Sequence, residues 1–173
     1  MEQKVKRAAR YMSLLLRHSP EKEGLVMDKS GWVDIKQLIK VLDITLQDLD
    51  DIVSEDNKQR FSFDQTKSKI RASQGHTIDI DTQPKETKPP KVLFHGTATK
   101  SLDSIYKTGI NKGQRNHLHL SDNKETATSV GSRHGAAFIL EIDSEKMYED
   151  GYKFYLSDNK VWLTESVPRI YIK

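Results

Sequence analysis

Asp81-Thr82-Gln83-Pro84-Lys85-Glu86-Thr87-Lys88-Pro89-Pro90-Lys91 contains no bulky apolar residue and holds three of the chain's five prolines. Proline fixes φ and biases its predecessor away from helix, so this stretch reads as an extended, semi-rigid connector. It divides the 173 residues into lobes 1–82 and 92–173, with 83–91 as the linker. Upstream, Val5, Ala8, Ala9, Met12, Leu15 and Leu16 recur at i, i+3, i+4 spacing, predicting an amphipathic helix that Pro20 closes. Asp34 caps a second expected helix carrying Ile35, Leu38, Ile39 and Leu42. Thr45 with Asp48 opens a third carrying Leu46, Leu49, Ile52 and Val53. Short strands follow around Arg60-Phe61-Ser62-Phe63 and Lys69-Ile70-Arg71-Ala72. Three helices and a β-wing outline a winged helix.

Downstream, strands are expected at Val92-Leu93-Phe94, Ala137-Phe138-Ile139-Leu140-Glu141-Ile142, Val161-Trp162-Leu163 and Arg169-Ile170-Tyr171-Ile172. Helices are expected at 101–107 and 124–133. The fold class is therefore α+β.

Composition narrows the chemistry. With no cysteine there is no disulfide scaffold, thiolate metal site or cysteine nucleophile, and a reducing cytoplasm suits the chain. The apolar run Tyr11-Met12-Ser13-Leu14-Leu15-Leu16 is cut by Arg17 and His18. Nothing approaches the roughly 20 apolar residues of a membrane span, so a soluble protein that is not exported is expected. No exposed apolar run demands a partner, and a monomer is expected.

A net charge of +3 says little by itself, but residues 1–20 carry Lys4, Lys6, Arg7, Arg10 and Arg17 against one acid, Glu2. Acids gather later, at Asp43, Asp48, Asp50, Asp51, Glu55 and Asp56. The basic helix either complements the acidic one or binds an anion.

Four of the six histidines, His95, His117, His119 and His134, fall in the second lobe. In an extended strand His117 and His119 share one face while Leu118 and Leu120 share the other. A His-x-His pair suits zinc, but no carboxylate or cysteine stands at ligand spacing, so no metal is expected. Hydrogen-bonded structural histidines are the plainer alternative. His95-Gly96-Thr97 ends a strand and opens a loop, where glycine lets a flat ligand approach the backbone. Arg17 and His18 sit side by side where cations also meet the negative end of a helix dipole. Arg60 by default is a solvated strand-edge side chain. Neither a dinucleotide fingerprint nor a P-loop is present, and the supply of nucleophiles is poor. If the chain is an enzyme, its substrate brings its own nucleophile.

Taken in order, Leu15-Leu16-Arg17-His18, Asp56-Asn57-Lys58-Gln59-Arg60-Phe61, Gln74-Gly75-His76, His95-Gly96-Thr97, Arg115-Asn116-His117-Leu118-His119-Leu120-Ser121 and Val161-Trp162-Leu163-Thr164 resemble the RNA 2′-phosphotransferases over nearly the whole chain. The resemblance implies a winged-helix RNA lobe joined to an ADP-ribosyltransferase-like mixed β-sheet lobe, with the reaction in the cleft between them. It further implies that an internal RNA 2′-phosphate attacks NAD+, which is consumed as co-substrate. The products would be nicotinamide, RNA with a 2′-hydroxyl and ADP-ribose 1″,2″-cyclic phosphate, as in tRNA splicing.

The family's catalytic Arg-His-Arg-Arg tetrad carries over onto Arg17, His18, Arg60 and Arg115. Its NAD contacts carry over onto His95, Gly96, Thr97, His119, Leu120, Ser121, Arg133 and Val161. Arg71 and His117 are further RNA contacts that the resemblance suggests. A phosphate monoester is close to a dianion at neutral pH and guanidinium groups grip it bidentately, which suits the tetrad to phosphate. Histidine is the side chain whose ordinary pKa lies near neutrality, which suits His18 to be an acid for the departing 2′-oxygen, or a phosphate ligand. Two alternatives use the same residues. His95-Gly96-Thr97 and His119-Leu120-Ser121 also fit a cyclic phosphodiesterase with paired His-x-Thr/Ser elements, and the first lobe fits a non-catalytic nucleic-acid binder.

Overall fold

The computed structural model describes residues 3–132 and 136–173. The chain forms two compact units, Met1–Gln83 and Pro84–Lys173. In the first, helix α1 spans Gln3–Arg17 and buries Val5, Ala8, Met12, Leu15 and Leu16 on one stripe. It ends three residues before Pro20, which opens a 3-10 turn, Pro20–Glu23. Strand β1 (Val33–Asp34) leads directly into helix α2 (Ile35–Leu42), and Asp34 caps that helix by accepting from the Gln37 N–H. Helix α3 (Leu46–Ser54) starts at the expected capping box, in which Thr45 and Asp48 each bond the other's backbone N–H. Such a cap is worth about 1 kcal/mol. Strands β2 (Phe61–Phe63) and β3 (Lys69–Ala72) complete an antiparallel sheet of order β1-β3-β2.

One core joins these elements, with Met12, Leu15, Leu16, Leu38, Leu49 and Ile70 fully enclosed. Each such side chain contributes about 1.5–3 kcal/mol by leaving water. Lys4 of the basic helix α1 pairs at 2.9 Å with Asp43, the residue that caps the end of α2. The pair is exposed and adds little.

The second unit begins inside the proline-rich stretch. Lys85–Glu86 forms strand β4, the Thr87 N–H donates to the Phe154 carbonyl at 2.9 Å, and Ser144 Oγ donates to the Pro90 carbonyl at 2.6 Å. Residues 84–91 are thus tied to the second unit along much of their length. Strand β5 (Val92–Ala98) pairs along all seven residues with a later strand, Ala137–Asp143. Between them come helix α4 (Leu102–Thr108), strands β6 (Ile110–Asn111) and β7 (Leu118–Leu120), and helix α5 (Lys124–Gly131). After that later strand, β8, follow helix α6 (Ser144–Glu149) and strands β9 (Tyr155–Leu156), β10 (Trp162–Thr164) and β11 (Ser166–Val167).

Three expectations need correction. The second unit carries small antiparallel sheets, β4-β9-β10-β7, β6-β11 and β5-β8, with no parallel pair among the described residues. One of these pairs is made by a tight return at 157–161, where the Ser157 N–H donates to the Val161 carbonyl and reverses the chain between β9 and β10; the others join strands far apart in the chain. His95, Gly96 and Thr97 lie within β5, paired with Leu140, Ile139 and Phe138, and do not open a loop. Arg169–Tyr171 is a 3-10 turn that follows Pro168, and Arg169 Nη1 donates back to the Ile172 carbonyl at 2.7 Å. Only Ile172 makes a ladder contact there, a single bridge to Ile142.

The Gly96 backbone is approached closely, but by a helix. A Cβ on Gly96 would stand 1.7 Å from the Ala127 carbonyl oxygen of α5, and Gly131 faces the backbone of Gly96 and Thr97 in return. Two facing glycines let α5 lie directly on β5. We therefore expect Gly96→Ala to force α5 outward and to lower the melting temperature by several degrees, the effect of an overpacking cost of about 1–3 kcal/mol. Thermal unfolding followed by circular dichroism checks this, and an unchanged melting temperature would contradict the helix-on-strand contact.

Candidate active site

Within the first unit, the C-terminal end of α1 and the entry to β2 are joined by one short segment, residues 73–77. The Ser73 N–H donates to the Arg60 carbonyl at 2.8 Å, and Ser73 Oγ donates to the Gln59 carbonyl at 3.2 Å. Four residues on, the Thr77 N–H donates to the Arg17 carbonyl at 3.0 Å, and Thr77 Oγ1 lies 2.9 Å from His18 Nδ1. This strap holds Arg17, His18 and Arg60 to a common frame. Arg17 also reaches back one turn to Ser13 Oγ at 3.2 Å and lies over the Phe61 ring at 5.8 Å. Three of the four tetrad candidates therefore belong to one neighbourhood of one unit.

Arg60 is clamped from below. Its Nε lies 3.0 Å and 3.1 Å from the two oxygens of Asp56, and its Nη2 lies 2.8 Å from Oδ1. Its backbone N–H also donates to Oδ2 at 2.7 Å. The Asp56 side chain is only 4% exposed, whereas that of Arg60 is 44% exposed. Burial by itself pushes the Asp56 carboxyl up, but the hydrogen bonds from the Arg60 side chain and backbone outweigh it and the net shift is downward. The carboxylate orients the guanidinium while leaving part of it open to solvent. Arg60 is no free strand-edge side chain.

His76, on the strap, is 3% exposed, and its Nε2 finds no hydrogen-bond partner among the described residues. Burial, with the charges of Arg17, His18 and Arg71 adding to it, pushes its pKa down to about 4. At neutral pH His76 is an uncharged ring set among cations, and it adds no repulsion to their cluster. Arg71 of β3 stacks on the Trp32 ring at 4.5 Å and donates to the Ser30 carbonyl at 3.4 Å.

In the second unit, β7 places the side chains of Leu118 and Leu120 in the core while His119 stays partly exposed, the alternation that the sequence predicts. His95 Nδ1 lies 3.1 Å from the His119 carbonyl oxygen, which makes Nδ1 the protonated ring nitrogen. Burial lowers the His95 pKa, and this hydrogen bond offsets the shift only in part, so the ring is neutral. Arg115 Nη1 donates to His119 Nδ1 at 2.8 Å. Arginine has no acceptor, so in this contact the proton of a neutral His119 sits on Nε2. The His117 ring leans on Tyr155 with centroids 5.8 Å apart. Ser121 Oγ serves the turn into α5, bonding both the carbonyl and the N–H of Asn123. Val161 stands in the turn just before β10, its N–H donating to Ser157 Oγ at 2.9 Å. Thr97 lies inside β5. Arg133 lies outside the described residues.

Sequence reasoning missed Ser73, Thr77 and Tyr155, and it took Asp56 for one acid among many. The aspartate four residues before Arg60 was a usable signal. The strap hydroxyls gave none, because serine and threonine are common everywhere on a surface.

A buried carboxylate that aims the half-exposed Arg60, in one neighbourhood with Arg17 and His18, is an arrangement suited to holding an anion. Comparison with known proteins gives the class a name. The family model described as "RNA 2'-phosphotransferase, Tpt1 / KptA family" matches residues 2–166. Proteins named "Probable RNA 2'-phosphotransferase" are similar along nearly their whole length. That of Fusobacterium nucleatum is 51% identical over 170 residues, covering 95% of each chain. That of Flavobacterium johnsoniae is 49% identical over 175 residues, covering 97% of this chain and 95% of its own. That of Hahella chejuensis is 46% identical over 177 residues, covering 99% and 95% respectively. The chain belongs to the RNA 2′-phosphotransferase family and is a transferase. The cyclic phosphodiesterase and the passive nucleic-acid binder find no support in this membership. No helix among the described residues is long and apolar enough to cross a membrane.

Two predictions follow from the electrostatics. An unfolded histidine binds its proton near pH 6.5 and His76 only near pH 4, so stability should fall as pH drops through that window. The loss should approach about 3 kcal/mol. Asp56 adds to it at lower pH, because its contribution is present above the ordinary carboxyl value and is lost as pH falls through its depressed one. Denaturant unfolding across pH, with NMR titration of the His76 ring, measures both effects. Asp56→Asn should cost about 1–3 kcal/mol of stability and release the Arg60 guanidinium. Unchanged unfolding in that variant would show the clamp to be idle.

Proposed function

We propose that the chain removes an internal 2′-phosphate from RNA at the expense of NAD+. The phosphate displaces nicotinamide, and ADP-ribose then carries it off as the 1″,2″-cyclic phosphate, leaving an RNA 2′-hydroxyl. The first unit, with element order α1-β1-α2-α3-β2-β3 and sheet order β1-β3-β2, supports a winged-helix RNA lobe. The second supports an ADP-ribosyltransferase-like lobe that binds NAD+. Arg17, Arg60 and Arg115 hold the phosphate and offset the charge that builds on phosphorus. His18 protonates the RNA 2′-oxygen as the phosphorus–oxygen bond breaks.

His95, Thr97, His119, Ser121 and the backbone of Gly96 and Leu120 take the NAD+ side, and Arg133 takes its phosphates. The apolar Val161 leaves the ribose 2″-hydroxyl free to act as the second nucleophile. Arg71 and His117 guide the RNA. The protein works as a cytoplasmic monomer that needs no metal. The observation that carries this reading is the strap that gathers Arg17, His18 and Arg60, in a chain of this family.

A short RNA bearing an internal 2′-phosphate, incubated with the protein with and without NAD+, tests it. Nicotinamide and the cyclic phosphate should appear only with NAD+. Phosphate loss without NAD+ overturns the reading. Arg60→Ala should lower transfer at least a hundredfold while leaving NAD+ affinity within a few-fold, as measured by calorimetry. Arg17→Lys should also be damaging, because an ammonium cannot reproduce the guanidinium fork. Full activity in Arg17→Lys would remove the bidentate grip.

A further inference from the structure

We propose that Thr77 is a positioning residue for the transfer reaction, holding the His18 imidazole by its Nδ1 so that Nε2 is the atom presented to the phosphate. The inference rests on the phosphotransfer reading above and adds a residue to it. His18 follows the last residue of α1, and its backbone N–H still donates to the Leu14 carbonyl at 2.9 Å. The backbone is thereby set, and two side-chain torsions remain to orient the ring. Thr77 bears on that orientation. Its own N–H is committed to the Arg17 carbonyl at 3.0 Å, so its hydroxyl cannot drift from the end of α1, and Oγ1 stands 2.9 Å from His18 Nδ1.

The chemistry fixes the direction of this bond in the working state. A histidine that acts as an acid is an imidazolium, both of whose nitrogens are donors. Nδ1–H then donates to Thr77 Oγ1, and the transferable proton is the one on Nε2. A hydroxyl accepting from a cation makes a charge-assisted bond, stronger than that to the neutral ring. Thr77 thus orients His18 and favours its acid form together. The residue is exposed, so replacing it leaves the core of the unit intact.

The test uses the full chain and compares Thr77→Val, which keeps the shape and loses the hydroxyl, with Thr77→Ser, which keeps the hydroxyl. With the 2′-phosphorylated RNA and NAD+, Thr77→Val should lower kcat about tenfold with the KM for NAD+ unchanged. Its activity limb set by His18 should move to lower pH. Thr77→Ser should stay within about threefold of the parent. In a His18→Ala background Thr77→Val should cost nothing further, which a merely structural threonine would not show.

Imidazole 15N spectra of the resting protein give a readout that needs no turnover, in which the His18 nitrogens should change shift in Thr77→Val and not in Thr77→Ser. If the parent protein releases no nicotinamide, the phosphotransfer reading falls and the spectra alone decide whether Thr77 holds His18. Unchanged His18 shifts together with parental kcat in Thr77→Val overturn the proposal.

Discussion

A carboxylate withdrawn from water almost completely stays ionised only if something supplies what water gave, and for Asp56 that something is Arg60. The guanidinium and the Arg60 backbone N–H together occupy both carboxylate oxygens. The same contacts that keep Asp56 charged fix the direction in which Arg60 points. The rest of the first-unit site is built outward from there. The Arg60 carbonyl receives Ser73, the strap runs on to Thr77, and Thr77 ties the end of α1 to the same frame. Residues 43 and 42 positions apart in the chain, Arg17 and His18 with Arg60, are held in register by backbone bonds at both ends of a five-residue segment. Removing the charge at Asp56 would loosen the first link in that series.

Gathering cations carries its own cost, since like charges repel. The first unit limits it by making the most enclosed titratable ring of the group, His76, a neutral one. The second unit solves a different problem with hydrogen-bond direction. His95 donates a hydrogen bond from Nδ1–H to a carbonyl of β7, and His119 accepts one from Arg115 at its own Nδ1, so each neutral ring has a defined tautomer. The His119 ring hangs from a strand whose opposite face, Leu118 and Leu120, is packed into the core, and α5 is pressed on β5, the strand of His95, through two glycines. The histidines inherit their placement from that packing.

Much of this was legible in advance. The helical spacing in residues 5–16, the cap at Asp34 and the capping box at Thr45 are local signals. All three lie where the pattern put them, because each depends on neighbours within a few positions. The alternation of His117, Leu118, His119 and Leu120 was equally local. The errors were tertiary ones. His95-Gly96-Thr97 reads as the start of a loop, but pairing with β8, far along the chain, keeps it inside a strand, and α5 packs on the glycine. The β-rich tail at 169–172 has strand composition, yet Pro168 and a returning arginine curl it into a turn.

By itself, the order of residues determined the helices of the first unit and their caps, which follow from periodicity and from hydrogen bonds between near neighbours, and its resemblance to a family supplied the class of chemistry. Only the tertiary structure decided which cation is clamped, which histidine is silenced by burial and which hydroxyl turns a ring. Those properties arise from contacts between segments far apart in the chain, where distance and loss of water set the energy, and neither quantity is written along a single strand of letters.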